Sequence, residues 1–339
     1  MSSKQPENID LNSILNSFKP QVSFDSEKIK ALQKGNKTVL SQAITLCESS
    51  NIADQSRAQK LLSQLNPPSQ NSWRIGISGV PGVGKSSFIE VFGNYLISQG
   101  KKVAVLAIDP ASTINKGAVL GDKTRMESLV QQENAFIRPS SNASDLGGVQ
   151  KNTFESIKLC EAAGYDVIII ETVGVGQSEV QIRHLVDYFL LLKVAETGDE
   201  LQGIKRGIME LCDAIVIHKS DIQGALQAKQ IFENAMHLMR DPSNFWPCKV
   251  FLASSLNKTG FKTIFQELLS YFEKSISQGH YLNQRQSQLV QKRSQIFRQT
   301  LDDSIHRNSK IEFLKNQFIN GDLNQKELEA QLLKTLGIQ

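Results

Sequence analysis

Residues 79 to 87 read Gly79-Val80-Pro81-Gly82-Val83-Gly84-Lys85-Ser86-Ser87, a complete GxxxxGK[ST] pattern with one more serine behind it. Residue types at that spacing suit one chemistry. The glycines let backbone N–H groups turn inward around nucleotide phosphates, and the start of the following helix adds its positive end. Lys85 neutralises the terminal phosphates, and the Ser86 hydroxyl ligates Mg²⁺. The magnesium shell also needs an acid at the end of a neighbouring strand, and the run Val167-Ile168-Ile169-Ile170 ends in Glu171. Gly174, three residues on, can give a backbone N–H to the γ-phosphate. Asp109 ends a second apolar run, Val103 to Ile108, just before Pro110. It is expected at the carboxyl edge of the sheet, where open α/β sheets bind ligands; a turn or helix cap is the plainer role for it.

The base is read elsewhere in the chain. In an N-K-x-D box the Asp carboxylate accepts two hydrogen bonds from guanine N1 and N2, which adenine cannot donate there, and the Lys stem covers the base. Here Ala214-Ile215-Val216-Ile217 leads into His218-Lys219-Ser220-Asp221. Lys219 and Asp221 are in place, while His218 stands where Asn is usual; an imidazole still donates one hydrogen bond. Ala253-Ser254-Ser255, after the run Val250 to Leu252, is placed like the segment whose backbone N–H meets guanine O6. GTP is therefore expected as the ligand, with an adenine nucleotide as the alternative.

These residues need a scaffold, and the pattern between Trp73 and Phe272 supplies one. Short β-branched runs at Ile75–Ser78, Val103–Ile108, Ala135–Ile137, Val167–Ile170, Tyr188–Leu192, Ala214–Ile217 and Val250–Leu252 alternate with helical segments. That alternation predicts an α/β fold, a P-loop NTPase with a largely parallel sheet flanked by helices. Before it, from Ile29 to Leu65, apolar residues recur at helical intervals until Asn66-Pro67-Pro68 stops them. After it, Ile264, Leu268, Phe272 and Ile276 are four apart on a helix that should pack back onto the sheet. Beyond that, Leu282, Leu289 and Ile296 are seven apart on a long helix suited to docking or self-association, followed by short helices around 311–319 and 328–336. The expected organisation is a helical N-terminal extension over 1–70, a nucleotide-binding domain over 71–279 and a helical C-terminal arm over 280–339.

With those residues in view, the chain closely resembles the MeaB/ArgK-type P-loop GTPases, which include the bacterial and mitochondrial chaperones of adenosylcobalamin-dependent methylmalonyl-CoA mutase. The likeness runs from about Leu32 to Gln278. It rests on GVPGVGKSS (79–87), AIDPAS (107–112), VLGDKTRM (119–126), RPS with LGGV (138–149), LCEAAGYDVIIIETVGVGQSE (159–179) and GDELQGIKRGIME (198–210). Glu171 in place of the usual Asp is also similar to the wider GTPase class that serves nickel and cobalamin enzymes. The resemblance implies Asp109, Asp122 and Glu171 as the Mg²⁺ and switch carboxylates, with Ser86 as the hydroxyl ligand. It makes the loop Ala195 to Arg206 an extra switch segment and places Lys205 where a family lysine approaches the nucleotide. Taken alone, that loop is a solvated surface run. Val194-Ala195-Glu196-Thr197 departs from the family's Pro-Gly-Ala-like run, as His218 departs from Asn.

The resemblance implies a GTP-hydrolysing chaperone that regulates assembly and protection of such a mutase. Loops from Asp109 to Arg125 and from Glu171 to Glu179 would be held by the γ-phosphate and Mg²⁺ and released on hydrolysis. A kinase or ATPase linked to arginine/ornithine transport is the rival, and another acyl-CoA mutase such as isobutyryl-CoA mutase is a possible client. No residue is an obvious water-orienting glutamine and no arginine finger can be assigned, so intrinsic hydrolysis is expected to be slow, with acceleration from a partner or a homodimer. Cobalamin would stay with the mutase, since the chain has no DxHxxG-like motif.

Composition sets the outer limits. The 339 residues are 40% hydrophobic and 21% charged, as in ordinary globular chains, and the net charge of +4 gives no nucleic-acid footprint. No apolar run approaches the ~18 residues of a membrane helix. The start, MSSKQPENIDLN, matches neither a secretory signal nor a transit peptide, so a cytoplasmic location is expected. Cys47, Cys160, Cys212 and Cys248 form no CxxC pair and read as reduced, buried hydrophobes.

Overall fold

The computed structural model describes residues 24–65, 71–108, 126–139, 146–172, 182–195, 206–239, 245–306 and 308–336. Three short helices come first: α1 (Ser26–Gln33), α2 (Lys37–Glu48) and α3 (Ile52–Gln64). Each starts where the sequence places a short polar side chain. Asp25, Asn36 and Asn51 accept hydrogen bonds from the amides of Lys28, Val39 and Ala53, which satisfies N–H groups that the first turn leaves open. In α2, Leu40, Ala43, Ile44 and Cys47 fall on one stripe, and all are buried.

Seven strands follow: β1 (Trp73–Ser78), β2 (Val103–Ile108), β3 (Ala135–Arg138), β4 (Val167–Thr172), β5 (Tyr188–Val194), β6 (Ala214–His218) and β7 (Lys249–Ala253). They pair in the order β3-β2-β4-β1-β5-β6-β7, and every pairing is parallel. All seven sequence-predicted strands are present, β2 with the expected bounds and the other six extended by a residue or two. Parallel sheets are covered on both faces, which is why β1 and β4 are buried at every position and their sequences do not alternate. The covering elements are α4 (Lys85–Ser98), α5 (Glu127–Val130), α6 (Leu146–Ala162), α7 (Arg206–Met209), α8 (Ala225–Leu238) and α9 (Phe261–Ser277).

The chain passes from β1 to β2 across an intervening strand, so β4 lies beside β1. That reversal of strand order opens a crevice at the carboxyl ends, and it sets Ile77 in register with Glu171. On α9, Ile264, Leu268 and Phe272 are buried as expected, and Phe272 stacks on Trp73 with centroids 4.6 Å apart. Ile276, expected on the same stripe, is exposed.

Two compact units divide at Glu273 and Lys274. The second carries α10 (His280–His306), α11 (Ser309–Ile319) and α12 (Gln325–Leu336). Leu282 and Ile296 of the sequence-predicted seam are exposed, and the buried face of α10 instead carries Tyr281 and Gln288, also seven apart and one residue earlier. Leu282 and Ile296 therefore stand one position off that buried stripe, on a face left exposed in the single chain. The four cysteines are free thiols, three of them buried. Among the described residues no helix is long and apolar enough to cross a membrane.

Candidate functional site

The segment 79–84 leaves β1 as a loop and enters α4 at Gly84, which caps the helix with φ 93° and no side-chain hydrogen bond. The first-turn amides of Lys85, Ser86 and Ser87 are thus directed out of the helix start, as an anion cradle requires. Val80, Pro81, Gly82 and Ser87 are exposed, while Val83 anchors the loop in the core. Gly79 admits no side chain: a Cβ there would stand 2.7 Å from the Leu192 carbonyl oxygen. The Lys85 ammonium curls back over the loop and donates to the Gly79 carbonyl at 2.8 Å.

Across the crevice, Glu171 reaches the loop from β4. The Ser86 hydroxyl donates to Glu171 Oε1 at 3.3 Å, with Glu171 buried. One residue on, the Thr172 hydroxyl donates to Ser78 Oγ at 2.8 Å and pins the end of β4 to the end of β1. The signal for Thr172 in the sequence is a hydroxyl in the last position of the strand, directly after Glu171.

The residues expected to read the base close over the same loop. Lys219, held at φ 54°, donates its ammonium to the Gly82 carbonyl at 2.9 Å, which lays its stem along the phosphate loop. The Ser254 hydroxyl donates to the Asp221 carboxylate, and that bond holds the carboxyl below its usual range. Ser254 Oγ also accepts the amide of Asn257, and Ser254 and Thr259 exchange backbone hydrogen bonds, so the turn after β7 is closed on itself. Ala253 is buried in register with His218, and Ser255 points its hydroxyl at the His218 ring.

His218 departs most from expectation. It makes two hydrogen bonds where one was foreseen: Nδ1 lies 2.8 Å from the Val83 carbonyl oxygen and Nε2 2.7 Å from Ser255 Oγ. Burial pushes its pKa below the ordinary 6.5, with the Val83 carbonyl acting the other way.

The structure thus brings together Gly79 to Ser87, Glu171, Lys219, Asp221, Ala253, Ser254 and Ser255 around one crevice. Asp109, Asp122, Gly174 and Lys205 lie outside the described residues, as does most of the loop from Ala195 to Arg206. The RPS motif had no assigned role, and Arg138 explains part of it. Its guanidinium donates to Glu48, to Ser41 Oγ at 3.3 Å and to Thr45 Oγ1 at 3.1 Å, which joins the carboxyl end of β3 to α2.

The family described as Methylmalonyl Co-A mutase-associated GTPase MeaB matches residues 40–310. GTPase ArgK of Escherichia coli (strain K12) is 43% identical over 269 residues, covering 78% of this chain and 81% of that protein. The mitochondrial methylmalonic aciduria type A homolog of Mus musculus is 43% identical over 270 residues, covering 76% of this chain and 65% of that one. A crystal structure of a LAO/AO transport system kinase superposes with a TM-score of 0.74 at 33% identity, over 93% of this chain and 100% of the other.

Proposed function

The chain belongs to the family of methylmalonyl-CoA mutase-associated GTPases, and we propose that it uses GTP hydrolysis to drive a chaperone cycle on an adenosylcobalamin-dependent acyl-CoA mutase of the methylmalonyl-CoA type. The observation that carries this reading is the meeting of Ser86 and Glu171 at 3.3 Å, where the helix after the phosphate loop faces the strand that leads into 173–181. A hydroxyl and a carboxylate are hard oxygen donors, the set that Mg²⁺ takes beside nucleotide phosphates, so these residues fit the ion. Bound there, Mg²⁺ would supply neutralisation of charge on the transferring phosphate.

The chain's own residues do the rest. Lys85 exchanges the Gly79 carbonyl for phosphate oxygens, and the first-turn amides of α4 donate to the same group. Asp221 accepts from guanine N1 and N2, with its carboxylate kept ionised and oriented by Ser254. In this reading Asp109 and Asp122 complete the carboxylate set, Gly174 reports the γ-phosphate, and Lys205 contacts nucleotide only in the activated complex. The exposed apolar residues of 280–339 suit a homodimer. Release of the segments after Asp109 and Glu171 on hydrolysis would change affinity for the mutase.

The clasp of Lys219 on Gly82 and of Ser254 on Asp221 favours a guanine-specific switch over the transport-kinase alternative. Single-turnover GTP hydrolysis is the test, with and without a purified acyl-CoA mutase of the same source and paired with co-purification in a non-hydrolysable GTP analogue. Nucleotide-independent association and unstimulated hydrolysis together would refute the chaperone cycle.

A further inference from the structure

His218 ends β6 and is 2% exposed, yet both ring nitrogens have polar partners from different loops. A carbonyl oxygen only accepts, so Nδ1 carries the proton toward Val83. In the neutral ring Nε2 is then the acceptor for the Ser255 hydroxyl. The ring's remaining surface is also fixed. Phe88 of α4 meets it edge-on, with centroids 5.7 Å apart and planes at 89°. A Cβ on Gly84 would stand 2.8 Å from its Cε1 and Nδ1. One imidazole therefore touches the phosphate loop, the first turn of α4 and the turn after β7 at once.

We propose that His218 is a positioning residue that clasps the phosphate loop to the turn bearing Ser254 and Ser255, and that it does so only as the neutral imidazole, so that nucleotide is held less firmly in acid. The proposal rests on the guanine-nucleotide reading of this site and adds to it a dependence on one proton. When Nε2 is protonated it becomes a donor, the Ser255 hydroxyl must turn round to accept, and the turn that presents Ser254 to Asp221 shifts with it.

Among the described residues, the charged groups acting on the ring are Lys219, which disfavours its protonation, and Asp221, which favours it. The phosphate loop and α4 present the Val83 carbonyl and the apolar Phe88, while the Lys85 ammonium is turned onto Gly79. The turn after β7 presents the Ser255 hydroxyl. Burial outweighs these and lowers the ring's pKa from 6.5. An unfolded ring takes its proton near 6.5 and the folded ring at lower pH, so the clasp is complete above that value and is lost as pH falls through the folded pKa.

The experiment times release of a fluorescent GDP analogue from the full chain, from His218→Asn and from Ser255→Ala, between about pH 8 and about pH 5.5. The parent is expected to release GDP about tenfold faster at the acid end, the worth of ~1.4 kcal/mol of hydrogen bonding. His218→Asn, whose amide donates to Val83 but has no proton to gain, should show a flatter profile, and so should Ser255→Ala. Titration of the nucleotide's own phosphate is common to all three and cancels in the comparison. Three superimposable profiles would overturn the clasp. A parent that failed to bind GDP at about pH 7.5 would sink the nucleotide reading and the clasp with it. Melting temperatures without nucleotide complete the test. The same linkage lowers the parent's melting temperature in acid, so an acid fall in the parent that His218→Asn lacks supports the clasp, and an equal fall in both overturns it.

Discussion

A single methyl group at residue 84 puts the joined loops under direct strain. Gly84 holds φ at 93°, in the left-handed region where an L-residue costs roughly 1–2 kcal/mol. The added Cβ would stand 2.8 Å from the His218 ring, and Phe88 lies edge-on to that ring. To make room the ring must leave the Val83 carbonyl and the Ser255 hydroxyl, each bond worth about 1 kcal/mol net. Together these come to roughly 3–4 kcal/mol for holding the loop in the form seen here. The free protein can relax through the exposed Val80–Gly82 segment, so most of the cost should fall on nucleotide affinity. GDP binding by Gly84→Ala is expected to weaken by about 100- to 1000-fold in calorimetric titration. Gly82→Ala is the control, because its φ of 83° carries the same backbone strain while its Cβ has nothing within 4 Å. Its loss should be about tenfold, the strain term alone. A Gly84→Ala loss no larger than that of Gly82→Ala would refute the reasoning through His218.

Asp221→Asn should weaken guanine binding and admit xanthine nucleotides, because an amide donor replaces one acceptor; titrations with GDP, XDP and ADP decide it, and a parent that bound GDP and ADP equally would refute the guanine assignment. Lys85→Ala should abolish GDP binding, whereas Glu171→Ala should retain much of it and lose the magnesium dependence of hydrolysis, since Lys85 meets phosphate in every state and Glu171 acts beside Ser86; normal magnesium-dependent turnover in Glu171→Ala would remove that role. Glu161→Ala should cost about 3–5 kcal/mol in urea unfolding, because it strands the buried Arg74 guanidinium that donates to it at 2.8 and 2.9 Å. A change under about 1 kcal/mol would show that Arg74 finds water or another partner.

The strands and the phosphate loop were legible because their signals are local. A buried parallel strand is a continuous β-branched run, and the cradle needs glycine where φ is positive or a backbone is close. What failed to show in the sequence depends on residues far apart. The bond of His218 to Val83 spans 135 positions, and no spacing rule reaches so far, whereas Glu171, 85 positions from Ser86, is expected beside it from the needs of a magnesium shell. His218 looked like a degraded Asn for the same reason. Its second partner, Ser255, comes from the turn after β7 and becomes a neighbour only once β6 and β7 pair. On α10 a heptad fixes which residues share a face but not which face is buried, and there Tyr281 is buried while Phe297 is exposed.

The amino ends of the strands show how the site at the opposite edge is kept in register. Asp166, Asp187 and Asp213 each immediately precede a strand, and each carboxylate accepts the amide at or near the start of the next strand over. Asp166 takes Lys102 N at 2.8 Å, Asp187 takes Arg74 N at 2.9 Å and Asp213 takes Phe189 N at 2.8 Å. Each bond fixes the stagger of one pair, β4 with β2, β5 with β1 and β6 with β5. A one-residue slip would move Glu171 away from Ser86 and His218 away from Val83, and it would reverse the faces of the side chains as well. Asp213 adds a further tie, since its carboxylate also takes Arg183 at 2.8 and 3.2 Å. The described chain leaves the site at Thr172, pinned to Ser78, and returns at Arg183, pinned to Asp213. The residues on either side of 173–181 are therefore tied into the sheet that also carries Glu171 and His218 in register.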